Sequence, residues 1–179
     1  EGNIIFEFPF LHFLTALTYK IFPISEINGR IINLILYIFN GLLFFEIQKL
    51  FFDKKIAITI STLFISSPLI LYLGHAYMPE TSMMSFYLLA YYLYIKSKIQ
   101  DYNFLKPLMI ISLIFAPLIK PPAGIIYIPI FLDSIYRKNL KFIFKKFLLL
   151  LTCSLPFFLW MIYASRVNSS EMSTGSNYG

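Results

Sequence analysis

Apolar residues along the chain fall into six long runs, separated by short polar or charged segments. The runs cover residues 31–52, 56–73, 81–95, 105–119, 123–136 and 147–164. An unbroken transmembrane helix needs roughly 20 apolar residues, but shorter runs cross when they are tilted or broken and pack against protein. The pattern predicts an all-α bundle of about six transmembrane helices, with a kink at Pro68 near the end of the second run.

A seventh apolar run, "NIIFEFPFLHFLTALTYKIF", precedes these six and carries one acid, Glu7, two residues before a proline. The part from residue 9 to residue 22 has 14 residues, too few for the roughly 20 that a spanning helix needs. We therefore predict a juxtamembrane helix that lies in the outer interface, with Glu7 outside the membrane.

Composition supports a membrane protein and excludes a soluble one. Apolar residues make up 58% of the 179 residues and charged residues only 13%, whereas soluble domains carry about 25% charged residues. The single cysteine, Cys153, lies in an apolar run, which excludes an intrachain disulfide and a cysteine metal cluster. We read the net charge of +6 as a topology signal and expect no nucleic-acid partner.

The basic residues are distributed unevenly between the connections. If all six runs cross, one side receives eleven: Lys49, Lys54, Lys55, Lys96, Lys98, Lys106, Arg137, Lys138, Lys141, Lys145 and Lys146. The other side receives four: Lys20, Arg30, Lys120 and Arg166. The positive-inside rule makes the first side cytoplasmic. We expect a single domain in the plasma or inner membrane, with residues 1–30 and 166–179 extracytoplasmic and 31–165 forming the membrane part.

Five ionisable residues then share the extracytoplasmic side: Glu7, Arg30, His75, Glu80 and Lys120. Ionisable groups at membrane depth usually face a protein interior or a cavity, so we predict a polar site there. Plainer interpretations are open for three of them. Arg30 could anchor a helix end, His75 could be an ordinary loop histidine, and Glu80 could be favoured by the helix dipole. Nothing local explains Lys120 or Glu7.

These residues stand in segments that resemble the GT-C superfamily of polytopic glycosyltransferases. "EGNIIFEFPFLHFLTALTYKIF" and "GRIINLILYIFNGLLFFEIQKLF" are similar to the pattern "G-x-x-x-x-E-x-P-L-x-x-x-L" followed by "R-x-x-N/S". "SSPLILYLGHAYMPETSMMSFYLLAYYLYIK" looks like the family's next hairpin, and "LIKPPAGIIYIPIFL" resembles its "T-K-x-P-x-G" break. The protein O-mannosyltransferase and aminoarabinose lipid A transferase branches are the most similar. A single proline after Glu7, and a proline after Lys120, leave the choice of branch open.

The resemblance implies transfer of a hexose or pentose from a polyprenyl-phosphate donor. The acceptor would be a protein hydroxyl, a lipid or a glycan on the outer face, as in cell-envelope glycosylation. It also implies a catalytic aspartate, the general base, in an outer loop before Glu1. We therefore expect the chain to be a fragment that lacks its N- and C-terminal parts and is inactive alone, and we assign it no catalytic base.

The resemblance also implies roles for the polar site. Lys120 and Arg30 would stabilise the leaving phosphate. Glu7 and Glu80 would shape the site, orient the acceptor or bind a divalent cation, with His75 as a nitrogen ligand. Metal dependence differs between branches, so the cation stays open. The expected partners are membrane lipid, the lipid-linked sugar donor and an acceptor.

An alternative is a transporter or flippase fragment for a lipid-linked or small polar substrate, because such proteins also use broken helices around charged groups. Transporters usually place those breaks near the bilayer midplane and show internal repeats. Here the breaks lie at one edge, and the two halves show no repeat. A purely structural membrane subunit would leave Glu7 and Lys120 unexplained.

Overall fold

A computed structural model of the chain describes residues 7–99, 103–136 and 140–175. All regular structure in these ranges is helical, which confirms the predicted all-α fold. The α-helices there are α1 (Phe10–Thr18), α2 (Glu26–Gln48), α3 (Lys54–Ile65), α4 (Pro68–His75), α5 (Glu80–Ile99), α6 (Lys106–Ile119), α7 (Tyr127–Tyr136) and α8 (Leu140–Gly175). Two 3-10 helices, Asn103–Leu105 and Pro121–Ile126, precede α6 and α7. Arg137 and Lys138, two of the basic residues counted above, lie outside the described residues.

The second apolar run forms two helices instead of one kinked helix. α3 and α4 are bent by 62° at the break between them. Pro68 is the first residue of α4, a position where its missing N–H has no intrahelical partner to lose. The predicted kink at Pro68 is confirmed, in the form of a complete break.

The fifth run also departs from a single helix. It begins as the 3-10 helix Pro121–Ile126, and α-helix starts only at Tyr127. Pro121 and Pro122 carry no backbone N–H, so this stretch cannot continue the hydrogen-bond ladder of α6. Lys120 is consequently left in an extended conformation, with φ −143° and ψ 125°, between two helical segments.

The last helix is longer than the predicted run. α8 has 36 residues and continues to Gly175, whereas we expected a loop from residue 166. Neither proline nor glycine occurs from residue 157 to residue 174 to interrupt it. At 1.5 Å per residue it is about 54 Å long, which exceeds the roughly 30 Å of a bilayer's hydrocarbon core. At least one end of α8 would therefore project beyond the hydrocarbon core.

α5 is the central helix. None of its residues from 80 to 97 is exposed, because α2 and α6 pack along it. The main core cluster joins α5 to its neighbours and contains Ala90, Leu93, Tyr94, Met109, Leu113, Ile126, Ile130, Leu150 and Cys153. A helix that is covered by protein can carry polar residues. Ser82 and Ser85 are buried and donate hydrogen bonds to the carbonyls of Pro79 and Thr81.

Two buried asparagines fix α2 against the start of α5. Asn33 Nδ2 donates to the carbonyls of Leu73 at 2.7 Å and Ala76 at 2.5 Å, which lie at the end of α4. One heptad later, Asn40 Nδ2 donates to the carbonyl of Thr81 at 3.0 Å. Further along α2, Leu43 and Ile47 pack with Leu88 of α5. Later positions in α2 therefore meet later positions in α5, so these two helices run parallel and the broken pair α3–α4 returns the chain between them.

Two helices in the described ranges are long and apolar enough to cross a membrane, namely Glu26–Gln48 and Leu140–Asn168. The bent pair α3–α4 would make a third span if it crosses as one unit. The helices form an all-α bundle of membrane type. For the remaining runs, crossing stays a prediction: α6 and α7 are short, and α5 is shielded by protein.

Candidate functional site

Three of the predicted site residues meet at one end of the bundle. Lys120 Nζ lies 2.9 Å from Glu7 Oε1 and 2.5 Å from Glu80 Oε1. The residues come from positions 7, 80 and 120, so the contact depends on tertiary structure. We call Glu7, Glu80 and Lys120 the carboxylate–lysine triad.

Two members of the triad lie at the ends of helices. Glu80 is the first residue of α5, where a carboxylate also interacts favourably with the helix dipole. Lys120 follows the last residue of α6 and precedes the two prolines that stop that helix. Since α5 and α6 are adjacent and antiparallel, the start of one and the end of the other fall at the same level.

Aromatic packing positions the third member, Glu7. Phe8 directly follows Glu7 and makes edge contacts with Trp160 of α8 and Phe115 of α6, at ring-centroid distances of 5.1 and 6.2 Å. Phe10 makes similar edge contacts with Phe115 and with Phe86 of α5. These rings hold the segment before α1 against three helices, which places the Glu7 carboxylate beside Lys120.

The triad is unbalanced in charge and not fully hydrogen-bonded. Two carboxylates share one ammonium group, so its formal charge is −1. Glu80 Oε2 is buried and has no hydrogen-bond partner among the described residues. Burial lowers the pKa of Lys120, but its hydrogen bonds to Glu80 and Glu7 and their negative charges outweigh that effect and raise the pKa above its ordinary 10.5. Lys120 therefore stays charged at neutral pH. An ammonium group has three N–H donors, and the two carboxylates account for two of them.

Arg30 and His75 do not join the triad. They line a nearby cavity of about 690 Å³, whose walls also include His12, Thr15, Tyr19, Glu26, Gly29, Tyr72, Ala76 and Tyr77. Arg30 makes a loose, exposed pair with Glu26 at 3.4 Å. His75 Nδ1 lies 2.8 Å from the carbonyl of Leu71, one turn earlier, so Nδ1–H donates to it. The five predicted residues therefore divide between the triad and this cavity.

α1 connects the triad with the cavity that Arg30 and His75 line. Glu7 lies just before it, and His12 and Thr15 of α1 line the cavity. Tyr77 Oη donates to Thr15 Oγ1 at 2.9 Å, and the Tyr77 ring makes an edge contact with His12. The same ring lies so close to Gly29 that a Cβ there would approach it to 2.4 Å, so glycine is required for α1 and α2 to close around Tyr77.

The residues present do not fit the divalent-cation site considered above. Across residues 7–99, 103–136 and 140–175, no group of three or more His, Cys, Asp or Glu side chains is close enough to hold a metal ion. His75 lies on the wall of the cavity instead of beside Glu7 and Glu80. The position between those two carboxylates is taken by the Lys120 ammonium group.

Sequence reasoning missed a second charged cluster, at the opposite end of α5. Lys98 Nζ pairs with Asp133 Oδ1, and Tyr94 Oη donates to Asp133 Oδ2 at 2.6 Å. The available signal was an acid inside an apolar run, four positions before the basic residue Arg137. It also missed Asn33 and Asn40, although two amides spaced seven residues apart in a predicted span indicate one polar face.

A family model described as dolichyl-phosphate-mannose-protein mannosyltransferase matches residues 7–163. The match begins at Glu7 of the triad and ends within α8, so it includes every residue of the triad and the cavity. No curated protein and no solved structure matches the chain.

Proposed function

Because the chain belongs to the dolichyl-phosphate-mannose-protein mannosyltransferase family of membrane glycosyltransferases, we propose that it transfers a sugar from a polyprenyl-phosphate donor. In this proposal the acceptor is bound on the extracytoplasmic face. The general-base aspartate implied by the resemblance would lie before Glu1, outside the described residues.

The observation that carries the proposal is the carboxylate–lysine triad. Three charged groups from separate segments converge at one end of the bundle, and one buried carboxylate oxygen there has no partner in the part of the chain that the structure describes. Buried polar atoms in folded proteins are nearly always hydrogen-bonded. An unpaired oxygen beside an ammonium group therefore supports a place where a substrate hydroxyl binds.

The net charge of the triad guides which substrate group we assign to each of its members. A net charge of −1 does not attract a phosphate by itself, so we assign the two carboxylates to hydroxyl groups, for which they are strong acceptors. The third N–H of Lys120 and the guanidinium of Arg30 are the donors that we assign to the phosphate. Fixed cations there would stabilise the charge that develops as the sugar–phosphate bond breaks.

The cavity lined by Arg30 and His75 suits the phosphosugar head of the donor. Its volume of about 690 Å³ lies within the range of about 300–1,000 Å³ that is usual for ligand sites. Its walls combine aromatic rings, such as Tyr72 and Tyr77, with the exposed cation Arg30, which is loosely paired with Glu26 of the same wall. Ile21 and Ile24, which follow α1, are 79% and 83% exposed and can contact the lipid tail.

Transfer from a radiolabelled polyprenyl-phosphate sugar tests this function in membranes that contain the full-length protein. We expect Lys120→Ala to lower transfer by at least about 100-fold, the scale seen when one fixed charge-stabilising donor is removed. The control is Lys49→Ala, which removes a lysine from the exposed pair with Glu46 and should leave transfer unchanged. Normal turnover by Lys120→Ala, at wild-type amounts of inserted protein, would refute its role.

Cysteine labelling in intact cells tests the sidedness. The single native cysteine, Cys153, is 1% exposed and gives little background. We expect Ile24→Cys, near the cavity, to react with an impermeant reagent from outside. Phe104→Cys, a position 73% exposed between α5 and α6, should react only after permeabilisation. The reverse pattern would place the site on the cytoplasmic side.

A further inference from the structure

A second cavity, of about 610 Å³, lies between the end of α5, the start of α6 and the first half of α8. Lys106, Lys145 and Lys146 line it together with Ser97 and Thr152. The other lining residues are apolar: Met109, Ile110, Phe142, Leu148 and Leu149. The cavity is therefore an apolar groove with three lysines at its rim.

This cavity is distinct from the proposed transfer site. Lys106 is the first residue of α6, and Lys120 follows its last. The 14 positions between them correspond to about 21 Å along the helix axis. No residue is shared between this cavity and either the triad or the cavity that contains Arg30.

The charges of the residues that line this cavity favour an anionic ligand. Among the residues that the structure describes, three lysines line the cavity and no Asp or Glu does. The Lys146 ammonium also lies over the ring of Phe142, which lines the cavity, at 5.8 Å and over the ring of the core residue Tyr94 at 5.4 Å. Basic pockets between membrane helices are typical binding places for phospholipid head groups.

The apolar part of the groove distinguishes a lipid from a soluble phosphate. Leu148, Leu149 and Thr152 continue along α8 beyond Lys146, and six residues of helix correspond to about 9 Å. Met109 and Ile110 line the same depth from α6. A free phosphate would use only the rim, whereas a phospholipid would place an acyl chain against these side chains.

We propose that this cavity binds an anionic phospholipid, with its phosphate at Lys106, Lys145 and Lys146 and an acyl chain in the groove below. The bound lipid seals the gap between α6 and α8 at the end of the bundle opposite the triad. This binding is independent of the transfer reaction.

Calorimetric titration of the purified protein in detergent with short-chain phosphatidylglycerol tests the proposal. Each basic residue near an anionic lipid contributes about a factor of five in affinity. We therefore expect Lys106→Gln with Lys145→Gln to weaken binding roughly 5- to 25-fold. The matched control, Lys54→Gln with Lys55→Gln, removes the same charge from the exposed start of α3 and should bind like wild type. Lys145→Gln alone replaces an exposed helical residue and serves if the double variant fails to fold.

Two further titrations separate the possible sources of the phosphate. Short-chain phosphatidylcholine should bind at least about tenfold more weakly, since its head group carries no net charge to complement the lysines. Glycerol 3-phosphate should not compete at concentrations where phosphatidylglycerol saturates. Full competition by glycerol 3-phosphate would overturn the lipid as occupant. Equal losses of affinity in the test and control variants would show that the lipid responds only to the general surface charge. That result would also overturn the proposal.

Discussion

Two charged clusters lie at opposite ends of α5 and use similar groups differently. Glu80 of the triad is the first residue of the helix, and Lys98 of the Lys98–Asp133 pair comes 18 residues later. That separation is about 27 Å along the helix, close to the roughly 30 Å of a bilayer's hydrocarbon core. The single central helix thus connects both clusters.

The two clusters differ in how completely their carboxylate oxygens are paired. Asp133 uses both oxygens, one with Lys98 and the other with Tyr94, and the pair carries no net charge. Glu80 uses one oxygen for Lys120, and its buried Oε2 has no partner within residues 7–99, 103–136 and 140–175, in a cluster with an excess negative charge.

A completed polar network contributes mainly to the stability and uniqueness of a fold, whereas an incomplete one has capacity left for a ligand. By that criterion the Lys98–Asp133 pair is structural and the triad is the functional candidate. Mutations that remove equivalent groups from each cluster test this distinction.

The largest difference is expected between Glu80→Gln and Asp133→Asn. Glu80→Gln keeps the size of the side chain but removes the charge that we assign to a substrate hydroxyl, and should lower kcat about 100-fold. Asp133→Asn should leave kcat per folded molecule within about threefold of wild type, because it lies at the other end of α5. Radiolabelled sugar transfer, normalised to inserted protein, measures both. Similar losses in the two variants would contradict the distinction.

Glu7→Gln should have a smaller effect than Glu80→Gln. Its side chain is 42% exposed, against 26% for Glu80, and Lys120 keeps its second partner when Glu7 is neutral. A hydrogen bond to a charged group contributes about 1.5 kcal/mol, so we expect about a tenfold loss of kcat/KM. If the two acids act through the same lysine, combining Glu7→Gln with Glu80→Gln should be non-additive. Strictly additive losses would show that the acids act independently.

Tyr94→Phe tests the opposite cluster through stability. It removes the hydroxyl that donates to Asp133 Oδ2 at 2.6 Å, and a hydrogen bond to a charged group contributes about 1.5 kcal/mol. Thermal unfolding in detergent should therefore show a lower Tm with transfer activity unchanged. Tyr92→Phe is the control: its hydroxyl also bonds to a charged group, Lys96, but Tyr92 is half-buried whereas Tyr94 is 6% exposed, so its bond should contribute less. A loss of activity in Tyr94→Phe would make this cluster more than structural.

The sequence predicted the helical class, a kink at Pro68, and the residues of the triad from local patterns. Runs of apolar residues and their prolines are local features, so these predictions needed no tertiary structure. The separation of Arg30 and His75 from the triad could not be predicted, because it follows from how α1 docks through Phe8, Phe10 and Tyr77. The role of Asp133 was missed for a similar reason: its partners come from another helix, 35 and 39 residues away in the chain.

The smallest expected effect is the change with pH in the stability that Lys120 contributes, which should be absent near neutral pH. The pKa of Lys120 is raised in the folded protein, because its bonds to Glu80 and Glu7 outweigh the effect of burial. A raised lysine pKa contributes stability that is fully present below the ordinary value of 10.5 and is lost only as pH rises through the higher folded value. The difference in Tm between wild type and Lys120→Met should thus be constant from about pH 7 to pH 10 and shrink above that range. A difference that already declines between pH 7 and pH 9 would mean that the folded protein holds Lys120 less tightly than its two carboxylate contacts imply.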